Sequence, residues 1–181
     1  MRFNKITFGF VILMFVACNN PVPRYPVLKN GGNILTSSVA HNKQLVKLQD
    51  AAFKQIISEN PNVHFINSKS GFWYSYLIQK EDDNARPQTG DDIEFTYQVA
   101  DLENHLIYTK EDIGLLRYRV DKEEIINGLQ QGLKLIKEGE EVVFLFPSFM
   151  AYGVLGDRNK IKTNQPLIYT VYLKKIINHK N

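Results

Sequence analysis

The chain has 181 residues, of which 44% are hydrophobic and 23% are charged. This length suits one globular domain with an extension. The formal net charge is +3, and two of the cations, Arg2 and Lys5, lie at the N-terminus. Without them 20 cations face 19 anions. This balance excludes the strongly basic surface that is typical of nucleic-acid binding, so we expect no nucleic-acid partner.

The first 18 residues have the pattern of a bacterial lipoprotein signal. Arg2 and Lys5 flank the start of an apolar run over residues 6–16, which is shorter than the about 20 residues of a membrane-spanning helix. Ala17 and Cys18, the only cysteine, then resemble a lipobox. We expect residues 1–17 to be a signal peptide and Cys18 to be lipidated, with palmitate among its acyl chains. The alternative is a secreted protein with an incidental cysteine, which cannot form an internal disulfide.

Two further segments precede the main domain. Residues 18–41 are rich in Pro, Gly and Ser and predict a flexible tether, with an ordered arm as the alternative. Residues 42–70 predict a helical extension that Asn60-Pro61 ends. Its apolar positions recur at helical spacing and are Leu45, Leu48, Ala52, Ile56 and Ile57. This stripe must pack either on the same domain or on a second copy of the chain.

The rest of the chain predicts several strands and one short helix. Strands are expected over residues 71–79, 92–99, 106–109, 116–120, 142–146 and 167–173. The alternation over 92–99 places Tyr97 on the buried face. The unbroken apolar run 142–146 indicates a strand that is covered on both faces or that lines a pocket with half of its residues. Asp121 and Glu124 predict a capping box for the helix, and Gly139 its C-terminal cap. The fold class is therefore α+β, with an antiparallel sheet wrapped around a short central helix.

Common catalytic constellations are missing from the sequence. The four histidines are scattered without zinc-ligand spacing, so we expect no metal. Cys18 lies outside the domain, no nucleophile motif occurs, and the glycines at 128, 132 and 139 lack the Lys-Ser/Thr of a phosphate loop. What remains is a set of tyrosines and aliphatic residues: Tyr97, Tyr108, Tyr118, Tyr152, Tyr169, Ile125, Ile126 and Leu129. Composition alone favours an ordinary core for them.

The segment from Ile126 to Gly153, INGLQQGLKLIKEGEEVVFLFPSFMAYG, resembles the FKBP family of peptidyl-prolyl isomerases. The matching positions are Ile126, Gly128, Gly132-Leu133, Gly139-Glu140, Pro147 and Ala151-Tyr152-Gly153, together with Pro166 to Tyr169 and Gly90 to Tyr97. The resemblance assigns residues 71–177 to an isomerase domain with an FKBP-like curved sheet. It implies proline-containing polypeptides as clients and no cofactor.

The resemblance also implies a proline-binding pocket. The residues given catalytic roles are Tyr97, Tyr108, Ile126 through its backbone N–H, and Tyr152. The residues given substrate-binding roles are Ile107, Leu116, Ile125, Leu129, Ile161 and Tyr169. The chain departs from the family at Ile107-Tyr108, where a Phe-Asp pair is usual. The Asp is the family's one acidic pocket group, so its replacement predicts weak activity, or an inactive chaperone or binding module with the same fold.

A looser resemblance connects the lipoprotein signal, the N-terminal helix and the unusual pocket to the gliding-motility-associated lipoproteins of gliding bacteria. It implies an isomerase that is lipid-anchored to a bacterial membrane through Cys18 and faces the periplasm. There it would assist the folding of exported proteins, including those of the motility machinery.

Overall fold

The computed structural model describes residues 31–81 and 85–177, with side chains from residue 38 onward in the first helix. The predicted signal peptide, Cys18 and the tether as far as residue 30 lie outside the described residues. The chain divides into two compact units, residues 1–39 and residues 40–181. All described strands belong to the second unit.

The described elements belong to the α+β class that the sequence predicts. The helices are α1 (Gly31–Glu59), α2 (Lys110–Ile113) and α3 (Asn127–Gly132). The strands are β1 (Ile66–Asn67), β2 (Trp73–Ile78), β3 (Asp92–Ala100), β4 (Leu106–Tyr108), β5 (Leu116–Arg119), β6 (Glu141–Phe146) and β7 (Leu167–Ile177). Single 3-10 turns occupy Leu133–Leu135, Ser148–Met150 and Gly153–Leu155.

The strands form one antiparallel sheet in the order β1-β2-β6-β7-β3-β4, and β5 also pairs with β3. Strand β3 therefore has β7 along one edge, while β5 and β4 share its other edge. Strand β1 lies within the segment expected to be helical extension, so the sheet begins earlier than Gly71. Strands β3 and β4 are joined by a tight turn in which Asn104 takes a positive φ of 63°.

Strand β6 is covered on both faces, as its unbroken apolar sequence predicts. Phe144 and Phe146 are fully buried on one face, with stacked rings whose centroids lie 5.1 Å apart. On the other face Leu145 is buried in a separate cluster with Phe53 of α1 and Ile168 of β7. One face of the sheet thus holds the main core and the other holds α1.

Helix α1 begins at Gly31 rather than at Asn42, so residues 31–41 of the predicted tether are helical. The prolines that indicate a tether end at Pro26, and glycine lowers helix propensity without preventing a helix. The amphipathic pattern predicts the helix but not the whole buried face. Leu48, placed on the apolar stripe, is 61% exposed, whereas Phe53 is 2% exposed.

The part of α1 within the second unit packs on the sheet of its own domain. Phe53 lies against Leu145 and Ile168, and Ile56 and Ile57 flank it. Fully burying a phenylalanine contributes about 1.5–3 kcal/mol, so Phe53 is a strong anchor. Of the two partners left open by the sequence, the helix therefore uses its own domain.

A buried polar contact also joins α1 to the chain that follows β6. The side chain of Gln49, 5% exposed, donates through Nε2 to Ser148 Oγ at 3.0 Å and to the Asn164 carbonyl at 3.0 Å. Its Oε1 accepts from the Ser148 backbone N–H at 2.9 Å. These bonds satisfy both ends of the buried amide, which would be costly to leave unpaired. They tie α1 to both ends of the loop over residues 147–166, called the rim loop below.

The termini of the central helix differ from the prediction. Helix α3 is preceded by Ile126, which makes no side-chain cap, and Asp121 and Glu124 form no capping box. Asp121 instead has a φ of 58°, and its carboxylate accepts from Thr89, Gln130 and Lys134. Because the carboxylate of Asp121 binds these side chains, it does not cap the helix. A capping box does occur at α2, where Thr109 and Asp112 exchange the two bonds.

Gly139 is not the C-terminal cap of α3, because that helix ends at Gly132 and a 3-10 turn follows. With a φ of +82°, Gly139 makes the turn into β6 and donates its N–H to the Leu173 carbonyl at 2.7 Å. The carboxylate of the next residue, Glu140, is 1% exposed and accepts the backbone N–H groups of Lys80 and Lys137. The Gly-Glu pair thus fixes the entry to the sheet.

Two glycines let α3 approach the sheet closely. A Cβ added at Gly128 would lie 2.8 Å from the ring of Phe146, and one at Gly132 would lie 3.0 Å from the ring of Phe144. Both rings are fully buried. The helix therefore rests with its backbone on the aromatic rings of β6.

We expect Gly128→Ala to destabilise the protein by about 1–3 kcal/mol, since the added methyl overlaps a ring that packing holds in place. The free energy of unfolding from urea denaturation measures this. Asn127→Ala, on the exposed side of the same helix, is the matched control and should lie within about 0.5 kcal/mol of the wild type. Equal losses for both variants would contradict the close-packing account.

Candidate active site

A row of aromatic side chains crosses the sheet on the face that carries α3. Tyr108 of β4 pairs with Val99 of β3, Val99 pairs with Tyr169 of β7, and Tyr169 pairs with Phe144 of β6. Tyr97 lies two residues before Val99 on the same face, and its ring centroid is 5.3 Å from that of Tyr169. Period-2 alternation therefore puts three tyrosines on one face of the sheet.

The N-terminal end of α3 adds the aliphatic part of the same surface. Leu129 is 1% exposed in the main core, and the partly buried side chains of Ile125 and Ile126 pack against that core. Ile126 has an extended backbone just before the helix, with φ of −56° and ψ of 143°. Within the described residues no acceptor takes its backbone N–H, so this donor can bind a ligand carbonyl.

The rim loop brings Tyr152 and Ile161 to this surface. Ile161 is 4% exposed within the main core, and Tyr152 is partly buried against it. The loop is closed by the Asn164 N–H, which donates to the Gly153 carbonyl at 2.8 Å. We call Tyr97, Tyr108, Tyr152 and Tyr169 together the aromatic site.

The hydroxyl of Tyr169 is a buried polar atom without a partner. Among the described residues it is the one side-chain N or O atom that is fully shielded from solvent and makes no hydrogen bond. Burial raises the pKa of Tyr169, and the neighbouring Tyr152 and Tyr97 raise it further. Leaving a buried hydroxyl unpaired costs about 1–3 kcal/mol, and the Tyr152 hydroxyl is the polar group that acts most strongly on this one.

Burial keeps the Tyr97 hydroxyl protonated. Burial raises the pKa of Tyr97 to about 12, and the nearby Tyr152 and Tyr108 add to this shift. A phenol with this pKa is neutral at physiological pH. It can therefore donate a hydrogen bond without introducing charge.

A carboxylate reaches the aromatic site from the rim loop. The hydroxyl of Tyr108 donates to Oδ2 of Asp157, and Asn159 donates through Nδ2 to the same hydroxyl at 3.2 Å. Burial acts to raise the pKa of the Asp157 carboxyl, but hydrogen bonds from Tyr108 and from the Asn159 and Ile161 backbones outweigh it and lower that pKa. Asp157 is therefore ionised at neutral pH.

All ten site residues that the sequence singles out belong to or pack against the main core cluster. Leu116 pairs with Phe95 of β3, which lies two residues before Tyr97 on the same strand. Ile107 is partly buried, and its carbonyl accepts from Lys160 at 3.2 Å. The roles of these residues stay predictions. Tyr118, also named in the sequence analysis, is 3% exposed and is part of the main core. Its hydroxyl accepts a hydrogen bond from the Asp121 N–H.

Sequence reasoning missed Asp157. Its only signal was that it is the single acidic residue between Val154 and Gln165, a loop that otherwise carries basic and polar side chains.

A second feature, the triplet Asp101, Glu103 and His105, brings three potential metal ligands within 4.8 Å of one another. It lies at the exposed β3–β4 turn, where Asp101 accepts the backbone N–H groups of the other two residues.

Comparison with known families agrees with this architecture. The family described as FKBP-type peptidyl-prolyl cis-trans isomerase matches residues 83–174, just over half of the chain. The matched range contains the aromatic site, α3 and the rim loop. The chain belongs to the FKBP-type peptidyl-prolyl cis-trans isomerase family.

Individual relatives place the resemblance more closely. The chain is 29% identical over 102 residues to a probable FKBP-type peptidyl-prolyl cis-trans isomerase, FkpA, of Neisseria meningitidis serogroup B. That match covers 56% of this chain and only 37% of the relative. The fold is similar to the crystal structure of FkpA from Escherichia coli, with a TM-score of 0.59, 18% identity, and 97% of this chain and 74% of that chain covered.

A peptidyl-prolyl cis-trans isomerase from Pseudomonas syringae pv. tomato has the same TM-score of 0.59 at 17% identity. The match covers 75% of this chain and 96% of the Pseudomonas chain. At these identities the two structures establish the FKBP-like fold and the N-terminal helix, in agreement with the sequence prediction.

Among the described residues, no helix has the length and apolar character needed to cross a membrane.

We expect the stability of the protein to depend on Tyr97 in alkali. The folded-state pKa of about 12 exceeds the unfolded value of about 10. The contribution of Tyr97 is therefore complete below about pH 10 and is lost as the pH rises through about 12. Urea denaturation from pH 8 to 12 should show a shallower decline for Tyr97→Phe than for the wild type. Parallel curves would contradict the shift.

Proposed function

We propose that this protein is a peptidyl-prolyl cis-trans isomerase acting on proline-containing polypeptides. The observation that carries the proposal is the largely apolar surface formed by the aromatic site with Ile126 and Leu129, beside an Ile126 N–H for which no described residue supplies an acceptor. Membership of the isomerase family supports the same reading. The site has the parts that rotation of an amide requires.

The chemistry needs neither nucleophile nor metal. Rotation about an X–Pro bond is slow because the amide has partial double-bond character, with a barrier of about 18–20 kcal/mol. The planar amide is more charge-separated than the twisted one, so an apolar surface disfavours the planar form. Hydroxyl donors such as those of Tyr97 and Tyr152 can favour the twisted amide further. Only interactions that strengthen in the twisted state accelerate the reaction.

The second candidate function is a chaperone or binding module with the same surface and little catalysis. The observation that favours it is Tyr108, which stands at the position of the usual acidic residue. Such a module would bind proline-containing segments without changing their isomerisation rate. The two functions therefore differ in rate and agree in binding.

We expect the full-length chain, purified in detergent, to accelerate cis-trans isomerisation of a proline-containing tetrapeptide in a protease-coupled assay. Tyr152→Phe should lower kcat/KM by about twofold to tenfold, the equivalent of one hydrogen bond of about 0.5–1.5 kcal/mol. Tyr172→Phe is the matched control, since Tyr172 alternates with the core-facing residues of β7, and it should retain the full rate. A wild-type rate equal to the uncatalysed one, with the peptide still bound, would favour the binding module.

For the location, we propose a lipid anchor at Cys18 on a bacterial membrane, with the domain facing the periplasm. The cationic and apolar residues before Cys18 support it, as does its position as the only cysteine. The clients would be exported proteins with proline-containing segments, and the motility machinery of gliding bacteria is the narrower candidate.

We expect Cys18→Ser to move the protein from the membrane fraction to the aqueous fraction, because a lipid chain contributes about 0.8 kcal/mol per buried CH₂ and serine cannot carry it. Membrane fractionation of cells that express each form measures this. His41→Ser, on the exposed side of α1, is a control that should stay membrane-bound. A Cys18→Ser variant that remains in the membrane fraction would contradict the anchor.

A further inference from the structure

We propose that Asp157 supplies the acidic group of the active site from the rim loop and acts as a positioning residue for the Tyr108 hydroxyl. This inference rests on the proposed isomerase function and makes it more specific. Tyr108 occupies the position at which the family has its acidic residue. The carboxylate is therefore displaced to another element rather than lost.

The Tyr108–Asp157 contact lies within the aromatic site. Tyr108 is in register with Val99 and Tyr169 across the sheet, so its ring borders the same face as Tyr97. Its hydroxyl donates to Oδ2 of Asp157. The ammonium of Lys160 lies 4.8 Å from the centre of the Tyr108 ring. The tyrosine is thus held between a carboxylate and a cation.

The two oxygens of Asp157 have separate tasks. Oδ1 accepts the backbone N–H groups of Asn159 and Ile161, each at 2.8 Å, and so shapes the turn of the rim loop. Oδ2 is directed to the Tyr108 hydroxyl. The preceding Gly156 has a φ of +61°, and a Cβ there would lie 2.3 Å from the Ile161 carbonyl oxygen. The carboxylate is therefore fixed in place before any ligand binds, which is what preorganised electrostatics require.

The consequence for the reaction follows from charge. As an acceptor, ionised Asp157 fixes the direction of the Tyr108 O–H bond and places negative charge at the edge of the site. The oxygen of a planar amide is more negative than that of a twisted one. Negative charge beside that oxygen destabilises the planar form more and lowers the barrier. This effect depends on Oδ2 and on the Tyr108 hydroxyl together.

The test compares Asp157→Asn and Tyr108→Phe, singly and together, in the tetrapeptide assay. Asparagine retains Oδ1 for the turn and removes the charge, while phenylalanine removes only the hydroxyl. We expect each single change to lower kcat by about threefold to tenfold with KM nearly unchanged. The double variant should lose no more than the larger single loss, as expected for two groups that act as one unit. Glu111→Gln, which removes an exposed charge from α2, is the matched control.

A further variant moves the carboxylate to the family position by combining Tyr108→Asp with Asp157→Asn. We expect it to recover at least half of the wild-type kcat. Full activity of Asp157→Asn, or losses that add in the double variant, would overturn the role of Asp157. If Asp157→Asn lowers the free energy of unfolding, Tyr108→Phe gives the comparison with the Asp157 turn intact.

The outcome for Asp157 is separable from that for the proposed function. A wild-type protein without isomerase activity would contradict the function itself. That result would overturn the catalytic role of Asp157 as well. An active wild-type protein whose Asp157→Asn variant keeps the full kcat would overturn the role of Asp157 alone.

Discussion

The contact on which the rest of the site depends is the one between α3 and the aromatic rings of β6. The helix backbone at Gly128 sits directly on the Phe146 ring, at a separation that leaves no room for a side chain. This contact sets the height of α3 above the sheet and, with it, the positions of Ile126 and Leu129. A helix held further away would separate the Ile126 N–H from the tyrosines of β3 and β7. The Ile126 N–H and the aromatic surface therefore lie close together because residue 128 is a glycine and has no Cβ.

The same strand links the active site to the N-terminal helix. Phe144 and Phe146 support α3 from one face of β6, and Leu145 between them packs beneath Phe53 of α1. Directly after the strand, Ser148 binds Gln49 of α1, which also holds the Asn164 carbonyl. Since the rim loop runs between those two residues, α1 fixes both ends of the segment that carries Tyr152 and Asp157. The helix is thus a structural support of the site rather than a separate appendage.

What the sequence could predict follows the range of the interactions involved. Alternation and unbroken apolar runs are local, and they located β3, β6 and β7 together with the two covered faces of β6. The cap at Asp121 was mispredicted because its carboxylate binds Thr89, 32 residues earlier, and Lys134 instead of the helix start. Leu48 was misplaced and Phe53 was missed for a similar reason, since the surface that receives α1 is assembled from β6 and β7. The Asp157 contact spans 49 residues and has no local signature.

The role proposed for Asp157 illustrates how residue-by-residue transfer from a family can mislead. A position in a family pattern stands for a place in space, and the electrostatic requirement belongs to that place. Here β4 contributes an aromatic hydroxyl, and the rim loop reaches across to it with the acid. Asp157, Tyr152 and Ile161 all belong to the rim loop, so the position of all three side chains depends on that one loop. Because Gln49 holds the ends of that loop, the electrostatics of the site depend on the docking of α1 in a way that an acid on β4 would not.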